Sequence, residues 1–249
     1  MRNLIKADMQ RILKKKSIWI AFIFMVAVVA GEIFYQVSKA PDRNFGFAVA
    51  AADGMSYVGL VLGTILVLNI YADDFKSTAY INVVGRGINR KKFIIAKFLD
   101  ALIIIGGMYL CGGALIFGLQ AGLGISLTSL EIRFLFLTFV NELIFTAASI
   151  SIAALIFFIT ENNVLGILAF LSINMIIPVT IVFVRTNPTF AKYNIEKLYL
   201  DGAASSMFSD FMMGQVGAGL LKLFIILAVY VFAAIIASII IFRKKELDF

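Results

Sequence analysis

The sequence predicts an all-α membrane protein with six transmembrane helices. Apolar residues make up 61% of the 249-residue chain and charged residues 15%, whereas a soluble domain is nearer half apolar and about a quarter charged. The mean hydropathy is +0.98. Six apolar runs approach the ~20 residues that a helix needs to cross the hydrocarbon layer. We place these spans, within one transmembrane domain over residues 1–249, at about 17–37, 54–72, 98–120, 134–158, 164–184 and 223–242.

The distribution of Lys and Arg predicts how these spans are oriented. Of the 22 basic residues, six lie in residues 1–16, six in residues 73–97 and three after residue 242. We assign these groups to the cytoplasm, because positive charge in short segments marks that side, and the remaining seven to the outer side. Both termini are therefore predicted to be cytoplasmic. The net charge of +7 then reflects topology and not a nucleic-acid partner.

Residues 1–16 are predicted to form an amphipathic helix. Its apolar residues recur at helical spacing and comprise Ile5, Met9, Ile12 and Leu13. Its basic residues include Lys6, Arg11 and Lys14. Such a helix lies in the membrane interface with its basic face toward anionic headgroups. The charged stretch is too long for a cleavable signal peptide, and no small-residue cleavage site follows it.

The polar segment 73–97, which we call the coupling loop, connects spans two and three. Asp74 is suited to cap a short helix, which Gly85 and Gly87 would end. Asn89 is suited to cap a second helix that begins at Arg90 and continues into span three. A short basic helix at the membrane edge is a docking surface. A solvated connector whose charges only set the topology is an equally good interpretation of these residues.

The coupling loop resembles the first cytoplasmic loop of type-2 ABC transporter permeases. The matching positions are Asp73, Asp74, Lys76, Thr78, Gly85, Arg90 and Lys97. Where that family often has Gly-Thr after the basic residue, this chain has Ser77-Thr78, which leaves the exact helix start open. The resemblance implies that the loop holds the coupling helix, which inserts into a groove on a separate ATPase subunit. It also implies that residues 1–16 form the elbow helix of such permeases.

On this resemblance, ten residues of the coupling loop are expected to contact the ATPase subunit: Asp73, Asp74, Phe75, Lys76, Thr78, Ile81, Asn82, Gly85, Arg86 and Arg90. On the elbow helix, Lys6, Arg11 and Lys14 are the candidate residues, and a plain interfacial anchor is the alternative for each of them.

Two carboxylates inside the predicted spans are candidates for gating or for a substrate path. Glu142 follows Arg133 by nine residues, which places it roughly 13 Å along the helix. A carboxylate at that depth is costly unless it faces the bundle interior or is protonated. A structural pairing, for instance with Asn141, is the alternative. Glu32 is predicted to lie near the outer interface, where its desolvation cost is smaller.

Other features of the spans predict packing rather than chemistry. Gly59 and Gly63 form a GxxxG pair, which permits close approach of two helices. Pro178 predicts a kink in span five. The largest outer loop, residues 185–221, contains a Met-rich apolar run that either guides a hydrophobic substrate or packs at the interface.

The residue patterns of catalytic and nucleotide-binding sites are missing from the sequence. It has no GxxxxGK[ST] phosphate loop, no histidine and one cysteine, Cys111, within an apolar run. Histidine is the commonest metal ligand and general base. We therefore predict no enzymatic activity, no metal site and no cofactor bound by this chain, with ATP and Mg²⁺ held by the partner ATPase.

The leading hypothesis is a permease subunit of an ABC exporter in a bacterial plasma membrane. Two copies, or this chain with a related permease, would join two ATPase subunits. The cargo would be hydrophobic or amphiphilic, because few charged groups line the spans. Small permeases of this kind resemble subunits used in antimicrobial-peptide export, self-immunity and bacitracin-type resistance. The alternative is a non-transporting membrane scaffold or sensor whose basic loop binds a regulator. A channel fits less well, because no span carries a repeated polar stripe.

Overall fold

The structure, a computed structural model, describes residues 2–40, 42–72, 85, 88–186 and 216–244. Of the expected ATPase contacts, Gly85 and Arg90 lie within these ranges. The expected contacts that lie outside the described residues are Asp73, Asp74, Phe75, Lys76, Thr78, Ile81, Asn82 and Arg86. Most of the outer loop predicted over residues 185–221 also lies outside them.

The described residues form α-helices, with π-helical turns at two places. The helices are α1 (Arg2–Leu13), α2 (Lys16–Lys39), α3 (Arg43–Val67), α4 (Arg90–Gly122), α5 (Ser129–Thr160), α6 (Asn163–Leu171), α7 (Ile177–Thr186) and α8 (Val216–Lys244). A π-helical segment, Leu68–Ala72, extends α3, and a second, Ser172–Ile176, joins α6 to α7.

Within the part of the chain that the structure describes, six helical stretches are long and apolar enough to cross a membrane. They are Lys16–Lys39, Arg43–Tyr71, Arg90–Gly122, Ser129–Thr160, Asn163–Thr180 and Leu223–Arg243. This confirms the predicted all-α architecture with six candidate spans. It indicates a multi-pass membrane protein.

The spans predicted at about 17–37 and 54–72 leave the residues between them as a short outer loop, and this prediction was wrong for residues 43–53, which are the first three turns of α3. Asp42 explains the early start, since its side chain accepts hydrogen bonds from the backbone N–H groups of Asn44 and Phe45. A capping side chain of this kind stabilises a helix by about 1 kcal/mol. The alanine-rich stretch 48–52 then favours continuation.

Capping residues also set the other helix starts. The side chain of Asn89 accepts a hydrogen bond from the N–H of Lys91, which confirms the predicted cap of α4. Thr128 and Glu131 form a reciprocal capping box at the start of α5, so α5 begins five residues before the predicted span. A tight turn joins α5 to α6. Glu161 ends α5 with a φ of 51°, and the Asn162 side chain caps α6.

Helices α3 and α5 form the centre of the bundle. Helix α3 packs against α2, α4, α5 and α6, and α5 packs against α3, α4, α6 and α8. Within the most apolar stretch of each helix, 56% is buried in α3 and 61% in α5, whereas 11% is buried in α8. The outward faces of the peripheral helices carry large apolar side chains such as Phe183 and Phe232. Such a surface suits a hydrocarbon environment.

One end of the bundle, which we call the basic end, gathers α1, the end of α3, the start of α4, the end of α5 and the end of α8. Aromatic rings fill its interior. The Tyr71 ring lies 5.8 Å from the Phe158 ring and 5.9 Å from the Phe157 ring, centroid to centroid. Phe242 of α8 stacks on Phe93 of α4 at 6.1 Å. These contacts join four helices at the end where the coupling loop begins and ends.

The glycines of the GxxxG pair lie at two different contacts. The ring of Phe170 from α6 lies directly over Gly63, so that a Cβ there would collide with it. A Cβ at Gly59 would lie 2.6 Å from the Tyr109 hydroxyl and 2.7 Å from Thr146 Oγ1. The pair therefore admits an aromatic side chain from one neighbour and polar side chains from two others.

Candidate functional site

Glu142 lies on α5 where this helix meets α3. Ser56 of α3 donates a hydrogen bond from Oγ to Glu142 Oε1 at 2.9 Å. The Glu142 side chain is half-buried. The sequence offered two interpretations of Glu142, a structural pairing and a role in gating or in a substrate path. The structure provides a polar partner from a neighbouring helix, and it also places the carboxylate at a cavity.

The Tyr109 hydroxyl of α4 meets α5 one turn from Glu142. It lies 2.9 Å from Thr146 Oγ1 and donates to the Glu142 backbone oxygen at 3.4 Å. The Tyr109 side chain is fully buried, and its ring packs edge-on against Phe139 at 5.8 Å. Gly59 provides the space that both hydroxyls occupy. Polar groups of α3, α4 and α5 thus meet at a single level of the bundle.

The depth of this polar cluster within the bundle can be measured from the positions of its residues along their helices. Ser56 follows the first residue of α3 by 13 residues, Glu142 follows the first residue of α5 by 13, and Tyr109 precedes the last residue of α4 by 13. At 1.5 Å per residue, each lies about 20 Å from the end of its helix opposite the basic end. The cluster is therefore deep within the helical layer.

A cavity of about 440 Å³, which we call the Glu142 cavity, opens beside this cluster between α3, α5 and the α6–α7 segment. Its polar lining residues are Ser56, Tyr57, Asn141, Glu142, Thr146 and Asn174. Its apolar lining includes Leu60, Phe145, Met175 and Pro178. Among the described residues that line it, Glu142 is the charged one.

Two asparagines line the Glu142 cavity. The Asn141 side chain is more than nine-tenths buried, and its Oδ1 has no hydrogen-bond partner among the described residues. Asn174 donates from Nδ2 to the Phe170 carbonyl at 2.7 Å. Because a carbonyl oxygen can only accept, this bond identifies the donor as the amide nitrogen of Asn174 and its Oδ1 as the acceptor end of the side chain. Uncompensated burial of such a polar group is costly.

The wall formed by α6 and α7 is interrupted. The π-helical turn Ser172–Ile176 precedes Pro178, which has no N–H to donate to the previous turn. Single π-helical turns are frequent at functional sites. The kink expected at Pro178 stays a prediction. The π-helical turn ends two residues before Pro178, which lines the Glu142 cavity.

Glu32, the other predicted gating carboxylate, is elsewhere in the molecule. It lies on α2, accepts a hydrogen bond from Gln36 Nε2 at 3.2 Å, and does not line the Glu142 cavity. The structure therefore does not bring Glu32 and Glu142 into one site.

At the basic end, α1 is held to α4 by buried charges. Lys97 Nζ lies 2.7 Å from Asp8 Oδ2, and the Lys97 side chain is 2% exposed. Arg11 Nη2 lies 3.3 Å from Asp8 Oδ1. Lys97 also lies over the Phe93 ring at 5.3 Å. Of the basic residues predicted for the elbow helix, Arg11 is thus engaged, while Lys6 and Lys14 are exposed.

The segment after α1 is held to the end of α3. Lys15 Nζ donates to the Asn69 backbone oxygen at 2.9 Å, and Ser17 Oγ donates to Asn69 Oδ1 at 2.9 Å. Asn69 also donates a hydrogen bond from Nδ2 to the Ile65 carbonyl oxygen. The N-terminal segment therefore contacts both helices that flank the coupling loop.

Arg90, an expected ATPase contact, faces α8. Its Nη1 donates to the carbonyls of Phe242 and Arg243 at 3.0 and 3.3 Å. These carbonyls belong to the last turn of α8, where a cation is favoured by the helix dipole. The single described position between residues 73 and 87, Gly85, is exposed.

Sequence reasoning missed several residues of these clusters. Asp8 is the acidic residue of an otherwise basic helix, and Asn69 is a polar residue in an uncharged span, so both carried a signal. Nothing in the sequence pattern pointed to Ser56 or Tyr109, because their partners lie on helices that are far away in sequence. Among the described residues, no group of three His, Cys, Asp or Glu side chains could hold a metal ion.

No protein-family model matches this sequence, and no curated protein matches it either. The features that bear on function are therefore the geometry of the basic end and that of the Glu142 cavity.

Proposed function

We propose that this chain is the permease subunit of an ABC exporter in a bacterial plasma membrane, driven by a separate ATPase subunit that docks on the coupling loop. The observation that carries the proposal is the joining of the N-terminal segment to both helices that flank that loop. Asp8 pairs with Lys97 of α4, and Lys15 and Ser17 bond to Asn69 near the end of α3.

These contacts suit the transfer of force. A subunit that pushes on the coupling loop moves the end of α3 and the start of α4, and the polar contacts carry α1 with them. The buried Asp8–Lys97 pair resists separation, because an isolated buried charge costs several kcal/mol. Arg90 adds α8 to the same group through the carbonyls of its last turn.

Helix α3 connects the basic end with the Glu142 cavity. Asn69 at one end and Ser56 at the cavity lie on this helix and its π-helical extension, separated by 13 residues or about 20 Å. A tilt of α3 would change the distance from Ser56 to Glu142 on α5. ATP-driven closure of the ATPase pair is thereby connected to the shape of the cavity.

In this proposal the cargo is hydrophobic or amphiphilic, and a membrane-active peptide is the leading candidate. The walls of the Glu142 cavity combine polar side chains with the apolar side chains of Leu60, Phe145 and Met175, as an amphiphilic cargo requires. The second permease, another copy or a related chain, and the lipid bilayer cover the apolar outer faces. ATP and Mg²⁺ are bound by the ATPase. The chain itself acts as a transporter subunit and not as an enzyme, with both termini cytoplasmic.

The test is purification of the tagged chain from its native cells in a gentle detergent, followed by mass spectrometry and an ATP hydrolysis assay. We expect a protein with a phosphate loop to co-purify and to hydrolyse ATP. Phe75→Asp with Ile81→Asp, in the coupling loop, should abolish this co-purification while the chain still inserts in the membrane. Phe190→Asp, in the segment predicted to lie outside, is the matched control.

The alternative, a scaffold or sensor, has a distinct outcome in the same experiment. A partner without ATPase activity, lost in the Phe75→Asp and Ile81→Asp variant, would support it and contradict the transporter proposal. The permease species present in the purified complex would also distinguish a homodimer from a heterodimer.

A further inference from the structure

We propose that a groove between α4 and α5, distinct from the Glu142 cavity, is a binding site for an anionic phospholipid. One acyl chain of the lipid lies in the groove, and Arg133 binds its phosphate group. The described residues that line this α4–α5 groove include Leu110, Ala114, Phe117, Ile132 and Phe136. The proposal does not rest on the proposed function, because it involves this chain and the bilayer alone.

The shape of the α4–α5 groove suits a hydrocarbon chain. Its volume of about 370 Å³ lies within the range of small-molecule sites. Ile116 and Leu135 of the lining are buried, whereas Leu110, Phe117 and Phe136 are 69%, 55% and 62% exposed. The groove therefore opens outward, to the apolar surface of the bundle that suits a hydrocarbon environment.

The chemistry of the lining favours an acyl chain over a polypeptide segment in extended form. Among the described residues, no polar side chain lines the α4–α5 groove. The N–H and C=O groups of an extended segment would find no partner there, and leaving them unpaired is costly in an apolar environment. An acyl chain has no such groups. Because lipid tails are as apolar as leucine, the selectivity of the site must come from the headgroup.

The α4–α5 groove begins near one end of the bundle. Ile132 and Phe139, its first and last lining residues on α5, follow the first residue of this helix, Ser129, by three and ten residues. At 1.5 Å per residue, they lie about 5 and 15 Å from the start of α5. The groove thus runs inward from the end of the bundle opposite the basic end. An acyl chain that follows it has its headgroup beside the start of α5.

Arg133 provides the charge that selects the headgroup. It is exposed, and it precedes Phe136 by three residues, so the two side chains are neighbours on the surface of α5. No ion pair of Arg133 occurs among the described residues. A guanidinium group binds two phosphate oxygens through two parallel N–H bonds, and the apolar stem of an arginine lies readily along an apolar surface. The matching ligand is a phospholipid whose headgroup carries no positive charge.

The carboxylate closest in sequence does not neutralise Arg133. Glu131 Oε2 accepts hydrogen bonds from the backbone N–H and the Oγ1 of Thr128, at 2.6 and 2.7 Å, in the capping box of α5. Residues two positions apart on a helix do not face each other. Glu131 and Arg133 therefore point to different sides of α5, and the carboxylate does not repel a phosphate group at the groove.

The first test measures which lipid contacts the α4–α5 groove. Trp19 is the single tryptophan of the sequence, so Trp19→Phe with Phe136→Trp places one indole at the groove. Trp19→Phe with Phe232→Trp is the matched reference, because Phe232 on α8 is also 62% exposed. The proteins are reconstituted in vesicles that contain phosphatidylglycerol or phosphatidylcholine with the same brominated acyl chains, which quench indole fluorescence.

We expect brominated phosphatidylglycerol to be preferred at position 136 by about fivefold, the factor expected for one basic residue at a membrane surface. High salt should reduce this preference. At position 232 the two lipids should quench equally. If the reporter variant does not fold, native mass spectrometry of the unaltered protein, with either lipid added, measures the same preference.

The second test changes the charge and the groove separately. Arg133→Gln should abolish the preference for phosphatidylglycerol, and Arg133→Lys should retain part of it. Arg43→Gln, a change of an exposed arginine at the start of α3, is the matched control and should leave the preference unchanged. Ala114→Leu fills the groove and should weaken quenching by both lipids at position 136 several-fold. Ala27→Leu, at an exposed position on α2, should not.

Equal quenching by the two brominated lipids at position 136 would overturn the proposal, as would an unchanged preference in folded Arg133→Gln. Weak quenching by both lipids would also overturn it, because another element then covers the groove. In that case, oxidation of Cys111, which is exposed on α4, would identify a second copy as the cover if two chains become cross-linked. A selective lipid site in a purified complex without an ATPase would contradict the proposed function and support this proposal.

Discussion

Lys97 and Asp8 form an ion pair of 2.7 Å that joins α4 to the N-terminal helix, with Lys97 almost completely buried. An isolated buried charge is unfavourable, so the Asp8 carboxylate, which also pairs with Arg11, stabilises the buried Lys97 ammonium group. The pair explains why a helix that reads as a peripheral amphipathic segment is part of the bundle. It also defines where a change of a single side chain should separate α1 from the flank of the coupling loop.

Removal of one member of this pair should be more harmful than removal of both. Asp8→Ala removes the carboxylate that lies 2.7 Å from the buried Lys97 ammonium group, and we expect a loss of about 3 kcal/mol in the free energy of unfolding. The double variant Asp8→Leu with Lys97→Met should recover most of that loss. Unfolding in mixed detergent micelles measures both. Lys14→Met, an exposed change on the same helix, is the control, and a double variant as unstable as Asp8→Ala would contradict the interpretation.

Gly63 should not tolerate a methyl group. Its position lies directly under the Phe170 ring, so we expect Gly63→Ala to lower the free energy of unfolding by about 1–3 kcal/mol, as overpacking does. Phe170→Leu, combined with Gly63→Ala, should restore part of the lost free energy of unfolding. The same denaturation assay applies.

The control for this change is Gly106→Ala, because a Cβ at Gly106 has no neighbour within 4 Å among the described residues. It should be neutral or stabilising, since alanine favours helix over glycine by about 1 kcal/mol. Equal effects at positions 63 and 106 would show that the contact with Phe170 is not responsible.

The Tyr109–Thr146 pair should show coupling in a double-mutant cycle. Tyr109→Phe leaves the buried Thr146 hydroxyl without its 2.9 Å partner, at a cost of about 1–3 kcal/mol. Thr146→Val should have a similar effect, and the double variant should lose less than the sum of the two. Tyr57→Phe, an exposed tyrosine on the cavity rim, is the control. Strict additivity would exclude the interaction.

Arg90 should hold the last turn of α8 in place. Arg90→Met removes the donors to the Phe242 and Arg243 carbonyls, so amide hydrogen exchange in the last turn of α8 should become faster. Lys91→Met, an exposed neighbour, should have no effect there. Unchanged exchange in Arg90→Met would mean that the aromatic contacts of Phe242 suffice. Helix α8 is otherwise mainly peripheral. The result therefore tests whether Arg90, in the coupling loop, holds the last turn of α8 to the start of α4.

The number of spans and several helix boundaries could be predicted because they depend on local properties. Hydrophobic length predicted six candidate spans, and Asn89 predicted the start of α4 from its own side chain. The start of α3 was misplaced, because a loop was inferred from Pro41, which was expected to prevent the helix from continuing after Lys39. Asp42 instead begins a helix there by accepting two backbone N–H groups.

The polar site was predicted only in part. Glu142 was identifiable because a carboxylate in an apolar run is costly anywhere in a membrane. Ser56, Tyr109 and Asn174 were not, since Ser, Tyr and Asn occur in apolar helices without any single role. Their significance comes from distances to residues more than 30 positions away.

Composition and local pattern alone determined that this chain is a helical membrane protein, how many candidate spans it has, and which residues are unusual within them. Burial in a bilayer imposes those requirements on each segment separately. Which helices meet was decided by tertiary packing: Asp8 selects Lys97, Gly63 admits Phe170, and Glu142 faces Ser56 at a cavity. In an apolar solvent these choices depend on shape and on pairing between distant side chains, and such pairing has no period in the sequence.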